Sequence, residues 1–235
     1  MDSNTAMHAW MIPDREYARQ EARRGRRHAY ARLDPRSTAL VVIDMVPFFV
    51  NENPYCRGIV PNIRALASAL RAAGGLVSWV LPAVAAAPDA WQREFFGDAV
   101  AALYNASGGA GPLRSRLCPA FEVAPADLVA EKTAASAFFP GRSPLPAEFA
   151  RRGIRTVIVT GTVTNVCCES SARDASTLGH RVIMVADANA AVNDAAHNAT
   201  LLTIYRTFGD VRTTAETLAL IRADADTDTE KALAP

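Results

Sequence analysis

The chain has 235 residues, half of them apolar, with 25 basic against 24 acidic side chains and a net charge of +1. That length suits one large α/β domain with a substantial core, and the balanced charge gives no reason to expect nucleic acid or a membrane surface as a partner. No run approaches the roughly 18 apolar residues of a bilayer span, no secretory leader opens the chain, and Cys56, Cys118, Cys167 and Cys168 lack both CxxC spacing and histidine partners. A cytoplasmic protein without a zinc site or disulfide framework is therefore expected.

Residues 1–36 read as a polar arm. Its cluster Arg23-Arg24-Gly25-Arg26-Arg27 is interleaved with Glu16 and Glu21, so it reads as a solvated or subunit-contacting face rather than a phosphate site. Residues 38–44, TALVVID, form a nearly continuous apolar strand with an aspartate at its carboxyl end. The aromatic stretch 46–58 reads as a loop. Residues 60–73 show helical periodicity through Ile63, Leu66, Ala67 and Leu70, ended by Gly74-Gly75. A second strand, 76–81, stops at Pro82. The least regular stretch, 83–121, contains a helix over about 91–104 and then SGGAGP, and suits a lid or a subunit contact. Residues 127–131 form a short strand delivering Lys132, and 145–152 a helix stopped by Gly153. The β-branched run 156–160 is a strand buried on both faces, broken by Gly161. Asn165 then caps a helix that begins with Val166 and Cys167, carries Glu169 and Arg173 at i,i+4, and stops at Gly179. Strands at 181–187 and 210–212 and helices at 194–208 and 214–222 follow, and the polar tail 224–235 is expected to be mobile.

Strands alternating with helices predict a single domain over 37–223, a three-layer αβα fold with a mainly parallel sheet of about six strands. Ligands of such sheets bind beyond the carboxyl ends of the strands, where strand order reverses. Asp44, Lys132 and Cys167 all fall there. A cysteine in the first turn of a helix meets unpaired N–H groups and the positive end of the helix dipole, which favour a thiolate and predict a lowered pKa. Buried cysteine is also a common small hydrophobe, and position alone leaves the nucleophilic and structural readings of Cys167 about even. Cys168 points roughly 100° further round the helix, toward the sheet.

Three segments, VVIDM, KTAASAF at 132–138 and GTVTNVCCES with the Ala-Arg-Asp-Ala helix after it, resemble the signature regions of the isochorismatase-like cysteine hydrolases, over roughly 38–213. The resemblance implies that Cys167 is the nucleophile, Asp44 the general base and Lys132 the third member of a triad. It also implies a cis peptide between Thr162 and Val163, and an oxyanion hole made by the N–H groups of Val163 and Cys167. Nicotinamidases of this fold carry a histidine-rich metal site, whereas no histidine lies between His28 and His180; no metal or other cofactor is expected. Isochorismatases proper lack the cysteine, so its presence favours C–N bond cleavage in a small amide, lactam, ureide or carbamoyl compound. Ether hydrolysis and a non-catalytic binding or scaffold role are the alternatives. The family's common glutamine two residues after the aspartate is Val46 here. Tyr55, Trp79, Phe138 and Asn165 are candidate pocket residues, with Trp91 and Phe139 beside them, and His197 reads as structural. A homo-oligomer, dimer or tetramer, is expected.

Overall fold

A computed structural model describes residues 4–232, with side chains described as far as residue 223. Runs of apolar residues with no polar face make strands that need cover on both sides. Six such strands form the sheet: β1 (Thr38–Ile43), β2 (Leu76–Pro82), β3 (Leu128–Lys132), β4 (Thr156–Thr162), β5 (Arg181–Ala190) and β6 (Asp210–Arg212). Every residue of β1 and β4 is buried. All five pairings are parallel, in the order β3-β2-β1-β4-β5-β6. The chain builds outward from β1 to β3 and then returns to lay β4 beside β1, so strand order reverses between β1 and β4.

Side chains alternate across the sheet with period two. Leu40, Val42, Trp79 and Ile158 pack with Ile63, Leu66 and Leu70 of α4 (Val60–Ala72) and Ile221 of α10 (Thr214–Ala232). Val41, Ile43, Val157 and Val159 pack on the opposite face with Phe149 of α7 (Leu145–Arg152), Ala172 of α8 (Glu169–Thr177) and Leu201 of α9 (Asp194–Thr203). These are the three layers. Cys168 is fully buried in the second of them.

Several local expectations change in the folded chain. Gly161 does not end its strand: it pairs with Ile43 and Asn189, and its φ is +117°. A Cβ there would overlap the Ile43 carbonyl oxygen, so glycine marks a close approach of two backbones rather than a break. Gly161→Ala should therefore cost on the order of 3 kcal/mol, read by denaturant titration; a cost under about 0.5 kcal/mol would mean that the two strands can separate freely. Residues 46–58 form two short helices, α2 (Pro47–Glu52) and α3 (Pro54–Gly58), each opening on a proline, whose missing N–H costs nothing in a first turn. The helix expected over 91–104 is two, α5 (Ala90–Phe96) and α6 (Asp98–Asn105), parted by Gly97 at φ +79°. Their outer face leaves Trp91 58% and Phe95 77% exposed. Helix α10 continues to Ala232 rather than ending at 222. The side chains of the expected mobile tail, 224–235, lie outside the described residues.

The N-terminal arm turns back on the domain. It carries α1 (Asp14–Arg24), with Glu16 and Gln20 buried. Arg24 donates to the Arg26 carbonyl (3.1 Å) and the Arg27 carbonyl, and the Arg27 guanidinium lies 3.6 Å over the Tyr17 ring. No helix among the described residues is long and apolar enough to cross a membrane.

Candidate active site

Asp44 is the first residue beyond β1. Its N–H donates to the Val80 carbonyl and its own carbonyl accepts from the Val46 N–H, both at 2.8 Å, while φ is +54°. Aspartate tolerates this left-handed conformation better than the β-branched residues before it would. The carboxylate is buried and receives no backbone N–H.

Lys132 ends the edge strand β3, two strand spacings from β1, or about 10 Å. A long side chain is needed to cover that gap. Its ammonium comes 2.9 Å from Asp44 Oδ2 and 3.5 Å from Cys167 Sγ, and also donates to the Ala134 carbonyl at 3.2 Å. The three residues that the sequence placed at strand ends thus meet at one point, beside the reversal between β1 and β4.

Cys167 lies in a wide turn, Thr164–Cys168, between β4 and α8. The Thr162–Val163 peptide is cis, and the Val163 carbonyl accepts from Val166 N–H (3.0 Å) and Cys168 N–H (3.2 Å). The second bond spans five residues, so that carbonyl serves Cys168 where a regular α-turn would bring Cys167. Val163 occupies the N-cap position without any side-chain cap. The expected Asn165 cap is not formed; Asn165 sits inside the turn and is exposed. Ser171 secures the turn, donating to the Cys167 carbonyl at 2.6 Å and accepting from Ala137 N–H at 2.9 Å, which ties it to the segment after Lys132. The Glu169–Arg173 pair forms as expected, at 2.6 Å.

Burial reverses the expected electrostatics of the thiol. The Cys167 pKa is pushed up to about 12, by burial first and the Asp44 carboxylate second, with Lys132 pulling the other way. The dipole argument considered only the helix and left out the anion across the sheet. Burial also raises the Asp44 carboxyl above the ordinary carboxylate range, offset in part by the Lys132 ammonium and by hydrogen bonds from Cys167 and Lys132. For Lys132, burial alone would lower the pKa; the Asp44 carboxylate and then Cys167 outweigh it, and the net shift is upward. The Lys132 ammonium at 2.9 Å from Oδ2 pairs with Asp44 as a carboxylate, and the thiol keeps its proton, so the resting group is a thiol, a carboxylate and an ammonium. The thiol can ionise only as its proton passes to the carboxylate beside it.

The other sequence candidates do not share one wall. Trp79 is buried on the α4 side of the sheet and its indole donates to Asp127 at 2.8 Å, while Phe138 is buried on the opposite side against Phe149. Trp79 belongs to β2, whereas Phe138 lies in a turn beyond β3, so no strand period relates the two. Tyr55 is half-buried, with its ring stacked on His8 at 3.9 Å, and Phe139 and Trp91 are exposed. Among the described residues no group of three or more His, Cys, Asp or Glu side chains could hold a metal ion. Sequence reasoning missed Thr164, Ser171 and His8. The only hint of the last was an apolar stretch, Met7 to Ile12, inside a polar arm.

Comparison with known proteins gives a consistent picture. The isochorismatase domain family matches residues 38–216. The isochorismatase family protein YwoC of Bacillus subtilis is 32% identical over 193 residues, covering 81% of this chain and 97% of its own. The ureidoacrylate amidohydrolase RutB of Rhizobium rhizogenes is 27% identical over 225 residues, covering 83% and 88%. Among solved structures, a cysteine hydrolase from Pseudomonas syringae superposes with a TM-score of 0.72 at 28% identity, over 83% of this chain and 97% of the other. N-carbamoylsarcosine amidase from Thermoplasma acidophilum gives 0.63 at 26% identity, over 75% and 96%.

Proposed function

The chain belongs to the isochorismatase family of hydrolases, and from that premise we propose that it is a cysteine-dependent amidohydrolase cleaving a C–N bond of a small amide, lactam, ureide or carbamoyl compound. The observation that carries this reading is the Lys132 ammonium, within reach of both the Asp44 carboxylate and the Cys167 thiol. The names of two relatives, a ureidoacrylate amidohydrolase and an N-carbamoylsarcosine amidase, support the choice of bond.

Cys167 Sγ attacks the carbonyl carbon as its proton passes to Asp44. Negative charge develops on the carbonyl oxygen, for which the N–H groups of Val163 and Cys167 are the donors. Asp44 then gives its proton to the departing nitrogen, the C–N bond breaks, and a thioester-type acyl-enzyme remains. Water, losing a proton to Asp44, attacks the acyl carbon; the acid leaves and the thiol recovers its proton. Lys132 keeps the charge of the site balanced throughout, and no step calls on a metal.

Release of ammonia or amine across a panel of small amides, lactams and ureides, with EDTA present and with Cys167→Ala as control, tests this. Cysteine-dependent release supports it. Cleavage of isochorismate instead would move the activity to ether bonds, and inertness on the whole panel would favour a binding role. A cytoplasmic location belongs to the same proposal, supported by four cysteines that are all free.

The same proposal includes a homo-oligomer, dimer or tetramer, in which the outer face of α5 and α6 meets that of a second copy. Trp91, Phe95, Phe96, Leu103 and Tyr104 are exposed there. At 150–250 Å² for each full aromatic side chain the patch is on the order of 500 Å², the upper end for a monomer and much of the roughly 800 Å² each partner gives to a standard interface. Light scattering should give a multiple of the chain mass at micromolar concentration, and Phe95→Glu should lower it. A monomer mass for the unaltered chain would reject the interface.

A further inference from the structure

Residues 4–12 run as a strap across the domain. Arg57 holds one end, donating to the Asn4 carbonyl and to Asn4 Oδ1, both at 2.6 Å, and Ala6 N–H donates to the Pro54 carbonyl at 3.0 Å. Gly58 makes room for this crossing, since a Cβ there would overlap the Ala6 carbonyl oxygen. At the other end Met11 N–H donates to Asn198 Oδ1 at 2.8 Å, and Asn198 donates to the Ala9 carbonyl at 3.1 Å.

Between these anchors the strap inserts His8, which is 8% exposed, between two rings. Its imidazole stacks on Tyr55 of α3 at 3.9 Å and on His197 of α9 at 4.2 Å, nearly parallel to both. The edges are satisfied as well: Nε2 accepts from Ala191 N–H at 2.9 Å and Nδ1 lies 2.7 Å from Asp194 Oδ1. An accepting Nε2 puts the proton on Nδ1, so the ring is neutral and donates to Asp194. His197 in turn shares a hydrogen bond of 2.9 Å with Thr164 Oγ1, in the turn that carries Cys167. The column Tyr55–His8–His197–Thr164 therefore bridges the segment that follows Asp44 and the segment that holds the thiol.

We propose that His8 is a positioning residue for Cys167, setting the thiol against Asp44 and Lys132 through His197 and Thr164. The inference rests on the assignment of Cys167 as the reacting group. The charged and titratable groups facing His8 are Asp194 and His197 of α9 and Tyr55 of α3. Burial lowers the pKa of His8, with Asp194 opposing it, and lowers that of His197 to about 3. Both rings are thus neutral near pH 7, and the stack carries no like-charge repulsion.

The test reads the alkylation rate of Cys167 by iodoacetamide, resolved from the other cysteines by mass spectrometry, which needs no substrate. Burial and the Asp44 carboxylate keep the proton on the thiol, so a turn displaced from both should form thiolate more readily and label faster. His8→Ala is expected to speed labelling about tenfold. His8→Phe keeps the stack on Tyr55 and His197 and should return most of the way to the unaltered rate. Arg57→Ala, which frees the far end of the strap, is the control for destabilisation alone and should stay within about twofold of the unaltered protein at matched loss of Tm. If His8→Ala does not fold, His8→Gln, which can still accept from Ala191 and donate to Asp194 but loses the stack, should show the same acceleration. A rate unchanged or lowered in His8→Ala or His8→Gln overturns the proposal, as does equal acceleration in Arg57→Ala. Should the protein cleave no C–N bond and yet show this labelling pattern, the reaction assignment fails and the positioning role stands.

Discussion

Replacement of Cys167 by alanine is expected to lower kcat/KM by at least about 10⁴-fold, because the bond-forming atom is gone and only binding and the oxyanion donors remain. Asp44→Asn should cost about 10³-fold or more. The Cys167 thiol, pushed up to about 12, holds its proton at neutral pH and needs a carboxylate beside it to take that proton. Members of one proton-transfer unit are strongly non-additive. The double variant should therefore be no worse than Cys167→Ala, and a product of the two single losses would contradict a shared step. The same pairing sets the pH profile. Asp44 must be unprotonated to accept, and its pKa is raised by burial, so activity should fall on acidification above the ordinary carboxylate range. Lys132 is shifted upward and stays an ammonium through the working range, so it supplies no alkaline limb below its own titration. An acid limb at the pH of a free carboxylate would contradict the buried geometry. So would retention of a tenth of the activity by Cys167→Ala.

Lys132→Met should reduce activity by about 10²-fold or more and also make stability depend more strongly on pH. The methionine fills much of the same volume but leaves a buried carboxylate whose ion-pair partner has gone. Without the ammonium at 2.9 Å, Asp44 responds by holding its proton to still higher pH, which withdraws the base from catalysis and moves the acid limb upward. The direction of the stability effect follows from proton binding. With the folded pKa above the unfolded one, the folded state carries the extra proton between the two values, so stability falls as pH rises through that window. The variant should match the unaltered protein below the carboxylate range and fall behind by about 3 kcal/mol at high pH, as expected for a broken buried pair. Denaturant titrations across pH would show this. A deficit that is constant with pH would assign Lys132 to packing alone.

The apolar runs of β1, β4 and β5 were legible because a strand covered on both faces leaves no polar positions, and this holds whatever packs against it. Helices α4 and α7 were legible from period and stop signals, and the Asp44, Lys132 and Cys167 ends followed from element order alone. Those features are local, or follow from handedness rules that apply to every parallel crossover. The tertiary structure decided what depends on neighbours distant in sequence. Gly161 reads as a breaker until Ile43 is known to lie against it. Asn165 reads as a cap until the wide turn takes up the Val163 carbonyl. Trp79 and Phe138 lie on opposite faces because Trp79 points from β2 toward α4, while the turn beyond β3 carries Phe138 to the α7 side, which no local period could show. The direction of the Cys167 shift reversed because desolvation and the Asp44 carboxylate, 123 positions earlier in the chain, outweigh a dipole that the local sequence could show. His8 escaped notice for the same reason: its partners Tyr55, Ala191, Asp194 and His197 come together only in the folded chain. Period and propensity are properties of a segment, whereas burial, ion pairing and ring stacking are properties of the assembled core, and no segment carries them alone.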